Sequence, residues 1–139
     1  AQHKFFRLNM SAAAYADPHL QTMAAVTLEP GDVVIAVSQT GRTKDLLHST
    51  PLAMDAGATV IALCPSNTPL AQQVQIPLYI DLDEDKELNT LMSSRITQMV
   101  VIDVLAVGVT MQLGEETMAH LKTIKRSLRN LRVPVKRIK

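Results

Sequence analysis

Gly31–Leu47, GDVVIAVSQTGRTKDLL, decides how this chain folds. Val33–Val37 (VVIAV) is a continuous, largely β-branched apolar run, the pattern of a strand covered on both faces. Ser38–Arg42 then break the run with hydroxyls, an amide, a glycine and a cation. Thr43 opens a helix that is expected to run to Ala56 and to close at Gly57, a favourable C-terminal cap. Strand, polar turn and helix in this order form the repeating unit of a parallel sheet.

The same alternation continues on either side. Downstream, TVIAL (59–63) reads as a second buried strand, SNTPLAQQV (66–74) as a short capped helix, and PLYIDL (77–82) as a third strand. Upstream, AQHKFFRL (1–8) looks like the end of a helix and SAAAYAD (11–17) like a short strand. Asp17-Pro18 then supplies an acidic N-cap followed by proline at the first helical position. Beyond residue 87, Leu88, Leu91, Met92, Ile96, Met99, Val100, Val104 and Val107 place a long helix that is apolar on most sides, expected to bend or end at Gly108 or Gly114. Met118, Leu121, Ile124, Leu128 and Leu131 recur at steps of three and four, an amphipathic stripe. The expected fold class is α/β: a doubly wound, mainly parallel sheet between helical layers, in one domain over residues 1–133 with a basic tail at 134–139.

Composition narrows the function. The chain has 139 residues, a hydrophobic content of 47% against 3% aromatic, and no Trp, which suits an aliphatic α/β core better than an all-β sandwich. Cys64 is the single cysteine, so an internal disulfide and a CxxC site are both excluded. VVIDVLAVGV (100–109) is interrupted by Asp103 and reads as too short to span a bilayer, and no secretory leader is apparent. A cytoplasmic protein without membrane contact is therefore expected. The net charge of +1 hides eight basic residues and no acid from Lys122 onward. Without interleaved aromatics for base stacking, that basic stretch reads as a solvated helix face rather than a nucleic-acid surface.

The loop after VVIAV carries the chemistry. In a parallel sheet, ligands bind beyond the carboxyl ends of the strands, where Ser38 stands. Gly41 permits a positive φ or a close backbone approach. Hydroxyls of Ser38, Thr40 and Thr43 converge there with N–H groups at a helix N-terminus, a suitable cradle for a phosphate monoester. The alternative is plain: Thr43 is only a helix cap, and Ser38 and Thr40 make turn bonds. Neither a Walker A sequence nor G-x-G-x-x-G occurs.

The loop SQTGRT (38–43) resembles the S-x-[ST]-G-x-[ST] phosphosugar loop of the sugar isomerase (SIS) domain. AGATVIALCPSNTPLAQQ (56–73) looks like that fold too, and SSRITQMVVIDVL (93–105) is similar to a helix of the RpiR family of bacterial transcriptional regulators. SQTGRTKDL (38–46) with HKFFRLN (3–9) resembles the hex regulon repressor branch. The resemblance implies a sensing domain, not an enzyme, and no cofactor. Its implied effector is a phosphorylated sugar or sugar acid, 2-keto-3-deoxy-6-phosphogluconate for this branch. Ser38, Thr40 and Thr43 would hold the phosphate by hydroxyls, and Gln39, Gly41 and Arg42 by N–H groups. DNA would be bound only through a helix-turn-helix domain absent from this chain, as is the family's first strand with its loop. The chain is thus expected to be a piece of a longer regulator. A phosphosugar isomerase using the same loop is the competing reading.

Other candidates are weaker. DLDEDKEL (81–88) is not a calcium loop, because Lys86 and Met92 stand where glycine and glutamate are required. Glu87 is a pocket candidate by analogy with SIS isomerases. Arg95 on the long helix is expected either in a buried pair, with Asp103 for example, or facing the ligand. The four histidines show no ligand spacing, so no metal site is expected. The apolar helices exceed what a small sheet needs to cover, which predicts a helical homodimer.

Overall fold

The computed structural model describes residues 1–82 and 90–129, so Glu87 and the tail 134–139 lie outside the described residues. The chain divides into two units, Tyr15–Val100 and a second made of Ala1–Ala14 with the residues from Val101 onward.

The first unit holds the α/β fold. Helix α2 (Pro18–Val26) starts as the sequence predicts, with the Asp17 carboxylate accepting from the Leu20 N–H at 3.0 Å. Strands β1 (Val33–Val37), β2 (Thr59–Cys64) and β3 (Ile76–Tyr79) pair in parallel in the order β1-β2-β3. Helix α3 (Lys44–Asp55) joins the first two strands and α4 (Pro69–Gln73) the last two. The core is small-residue rich: Ala25, Ala36, Ala53, Ala58 and Ala62 surround Val60, Cys64 and Leu70. Alanine at these points lets helix backbones approach the sheet closely.

Glutamines seal two weak points. Pro51 inside α3 has no N–H, which leaves the Leu47 carbonyl without its helical donor. Gln73 Nε2 on α4 supplies one at 3.3 Å and also reaches Thr50 Oγ1 at 2.5 Å. At the other end of β2, Gln75 Oε1 accepts from the fully buried Val60 N–H at 2.8 Å, and its Nε2 donates to the Ala58 carbonyl.

Three sequence expectations are corrected. Residues 11–17 form no strand, because their backbone joins no ladder among the described residues. Second, β1 is not covered throughout: Val33 and Val37, two positions on the same face of the strand, are exposed. Third, the last strand spans Ile76–Tyr79, so Asp81 and Leu82 lie beyond it.

In the second unit, α1 (Gln2–Phe6) is tied by a Lys4–Asp103 ion pair to the C-terminal part of α5 (Thr90–Gln112). Gly114, at φ +72°, ends α5 and opens α6 (Gly114–Arg129). Gly108 does not end α5. The helix therefore carries a segment, Ser93–Gln112, long and apolar enough by length and composition to cross a membrane. The helix runs through both Asp103 and Gly108, so the apolar segment is longer than VVIDVLAVGV (100–109) alone.

Candidate functional site

The strand register brings three loops to one end of the sheet. Val37 lies opposite Leu63, and Cys64 opposite Tyr79. The pairing extends one step further, with the Ser38 N–H donating to the Leu63 carbonyl at 3.0 Å and the Ile80 N–H to the Cys64 carbonyl at 3.0 Å. Whatever follows each strand then projects beyond the carboxyl edge. A cavity of about 770 Å³ opens there, lined by residues of the three loops and by Ser94 and Gln98 of α5. That volume suits a small-molecule ligand.

Ser38 is its best-defined group. The residue is only 4% exposed. Its Oγ accepts from the Gly41 N–H at 3.0 Å and shares a hydrogen bond with Thr43 Oγ1 at 2.9 Å. Two hydroxyls sharing one bond leave one proton to direct outward. When Thr43 donates to Ser38, the Ser38 O–H is free to donate to an anion. Thr43 occupies the N-cap position of α3, yet its side chain makes no capping bond. The sequence alternative in which Thr43 only caps the helix is therefore corrected: its hydroxyl is committed to Ser38.

Gly41 takes φ +61°, and its carbonyl accepts from the Leu70 N–H at 3.1 Å. A Cβ here would lie 2.8 Å from Thr68 Cγ2, and closer still to Thr68 Cβ and Oγ1. The absent side chain thus lets the first loop pack on the second. Thr68 in turn caps α4, accepting from Ala71 N–H, and donates to the Pro65 carbonyl at 2.8 Å.

The structure places the sequence candidates as follows. Ser38, Gln39, Thr40 and Arg42 line the cavity, whereas Gly41 and Thr43 stand behind it and hold Ser38. The Gly41 N–H is engaged by Ser38. The Arg42 N–H makes a longer bond of 3.3 Å to Thr40 Oγ1. Arg95 is exposed on α5 and outside the lining, and its expected partner Asp103 pairs with Lys4 instead. Ser94 and Gln98, on the same helix, line the cavity in its place. The second and third walls were missed: Pro65–Thr68 and Ile80–Leu82. Their signal was position, since both directly follow a strand; Asp81 had been absorbed into a run of helix-favouring acids.

Cys64 is fully buried behind this site. Burial pushes its thiol pKa up, the neighbouring Thr68 hydroxyl opposes this, and the Asp81 charge raises it further. A thiol held protonated in this way is a packing group rather than a nucleophile. Among the described residues no cluster of His, Cys, Asp and Glu could hold a metal.

Comparison with known proteins adds context. The SIS domain family matches residues 2–108, a range that includes most of α5. The HTH-type transcriptional regulator HexR of Pseudomonas aeruginosa is 43% identical over 135 residues, 97% of this chain and 47% of that protein. The bifunctional protein glk of Paraburkholderia xenovorans is 46% identical over 112 residues, 81% of this chain and 18% of that protein. Among solved structures, the Vibrio vulnificus NanR protein complexed with ManNAc-6P superposes with a TM-score of 0.81 at 23% identity, covering 95% of this chain and 50% of that one. The chain thus spans about half the length of the regulator it matches. The NanR likeness carries the fold: a parallel sheet flanked by helices.

Proposed function

The chain belongs to the SIS domain family, and on that premise we propose that it is the effector-sensing domain of a bacterial transcriptional regulator of sugar metabolism. Its ligand is a phosphorylated sugar or sugar acid, with 2-keto-3-deoxy-6-phosphogluconate the foremost candidate. Binding modulates DNA contact made by a helix-turn-helix domain outside this chain. The observation that carries the reading is the buried Ser38 hydroxyl, oriented by Gly41 and Thr43 at the carboxyl edge of the sheet. Identity to HexR over nearly the whole chain supports a regulator, and the ligand named for NanR is itself a sugar phosphate.

A phosphosugar isomerase is the second reading, favoured by the shared loop and by the glk relative, whose name marks it as bifunctional. Isomerisation needs a base and a ring-opening acid around the sugar. The described lining holds no histidine and one carboxylate, Asp81, so sensing is preferred. Calorimetry of the full-length protein against sugar phosphates, their unphosphorylated parents and inorganic phosphate decides the matter. Binding is expected only for phosphorylated members, without turnover. Equal affinity for unphosphorylated sugars would sink the phosphate-loop reading, and aldose–ketose conversion would establish the isomerase.

The domain is further proposed to act as a homodimer. Ile96, Met99, Val100, Val104, Val107 and Met111 of α5 are all exposed, an apolar surface of the kind that marks an interface. Asp103 and Arg95 within the same helix argue for a protein neighbour rather than lipid. Light scattering at micromolar concentration is expected to return twice the chain mass; a monomer there would refute the proposal.

A further inference from the structure

Among the described residues the cavity lining contains two charged side chains, Arg42 and Asp81. A carboxylate is an odd occupant of a site for anions, since it repels the group the opposite loop is built to hold. Its placement is specific. Asp81 follows the last strand and Ser38 the first, so the two stand at opposite margins of a three-stranded sheet end. Strands lie about 4.8 Å apart, which separates the two positions by roughly 10 Å. That span matches the reach of a six-carbon phosphate from its phosphorus to its far hydroxyls.

Asp81 is also held. Its Oδ1 accepts from the Ser66 N–H at 2.8 Å, fixing the carboxylate between the second and third loops. Among the described residues Oδ2 has no protein partner. An ionised carboxylate only accepts hydrogen bonds, so the ligand group that satisfies Oδ2 must be a donor: a hydroxyl or an amine. Gln98 lines the same cavity and is able to complete such a contact.

We infer that Asp81 is a specificity-determining residue: it accepts a hydrogen bond from a hydroxyl of the effector's carbon chain. This rests on the sugar-phosphate reading and deepens it, because Ser38 reads the phosphate while Asp81 reads the chain.

The test is Asp81→Asn in the full-length protein, titrated with 2-keto-3-deoxy-6-phosphogluconate and, separately, with inorganic phosphate read by competition. The amide oxygen of Asn keeps the Ser66 bond, so the loop retains its anchor. The amide nitrogen replaces an acceptor by a donor. Affinity for the sugar-acid phosphate is expected to fall about tenfold, while phosphate binds as well or slightly better, since a repelling charge has gone. Ser38→Ala, by contrast, weakens both probes. Opposite responses of the two probes to one variant are not produced by general damage to the fold. A parallel loss of both in Asp81→Asn, or no change in either, overturns the inference and leaves the phosphate loop standing. Failure of the parent protein to bind the sugar-acid phosphate or any member of the sugar-phosphate panel overturns both.

Discussion

Ser38→Ala is expected to weaken sugar-phosphate binding by roughly 30-fold, about 2 kcal/mol, the scale of a hydrogen bond to a charged group. The loss has two sources. One is the hydroxyl proton that Ser38, backed by Thr43, directs toward the anion. The other is the geometry of the loop, because Ser38 Oγ is also the acceptor that holds the Gly41 N–H at 3.0 Å. Removing it leaves a buried donor unsatisfied, which costs about 1 kcal/mol or more of folding stability. The signature is therefore a large binding defect beside a modest fall in melting temperature. Calorimetry and thermal unfolding of the same preparation check both halves. A variant that binds within twofold of the parent would show that the anion is held elsewhere.

Gly41→Ala should be the most damaging single methyl in the described fold. Two penalties add. At φ +61° a residue with a Cβ is disfavoured by about 1 kcal/mol. The new methyl also meets Thr68, and because Thr68 Cβ is among the colliding atoms, rotating that side chain gives no relief. Overpacking of this kind costs roughly 1–3 kcal/mol, so a total near 2–4 kcal/mol is expected in urea unfolding. Effector binding should fall with it, since the Gly41 carbonyl joins the first loop to Leu70 and its N–H orients Ser38. Adding Thr68→Gly separates the terms. It removes the colliding Cβ, Oγ1 and Cγ2 atoms, and glycine is tolerated at an N-cap at a cost of a few tenths of a kcal/mol. The double variant should recover most of the steric part and keep the backbone part. If Gly41→Ala unfolds within about 0.5 kcal/mol of the parent, the loop does not pack as described.

The elements of the sheet were legible because local rules govern them. VVIAV is a strand with the bounds its apolar run predicts, and Asp17-Pro18 starts α2 through a bond made within one turn. Gly57 follows the end of α3 at φ +95°. The segment 11–17 was misread for a related reason. Its residues are compatible with a strand, yet strand formation needs a neighbour, and a ladder is a property of two segments rather than one.

The site divides in the same way. Ser38, Gln39, Thr40 and Arg42 were legible as candidates, and they line the cavity because a polar turn between a β-branched run and a helix start must lie at the strand's carboxyl end. Sequence alone also placed a glycine at 41, where its freedom is needed. Only the tertiary structure decided what that glycine is for. The close approach it allows is to Thr68, a residue 27 positions away, and no local pattern encodes that meeting. Asp81 belongs to the same class. Within its own segment it is one acid among several, and only the parallel register of three strands sets it across the cavity from Ser38. Short-range bonding fixes which residues are strand, turn and helix; which turns share a cavity is fixed by the order in which the strands pair.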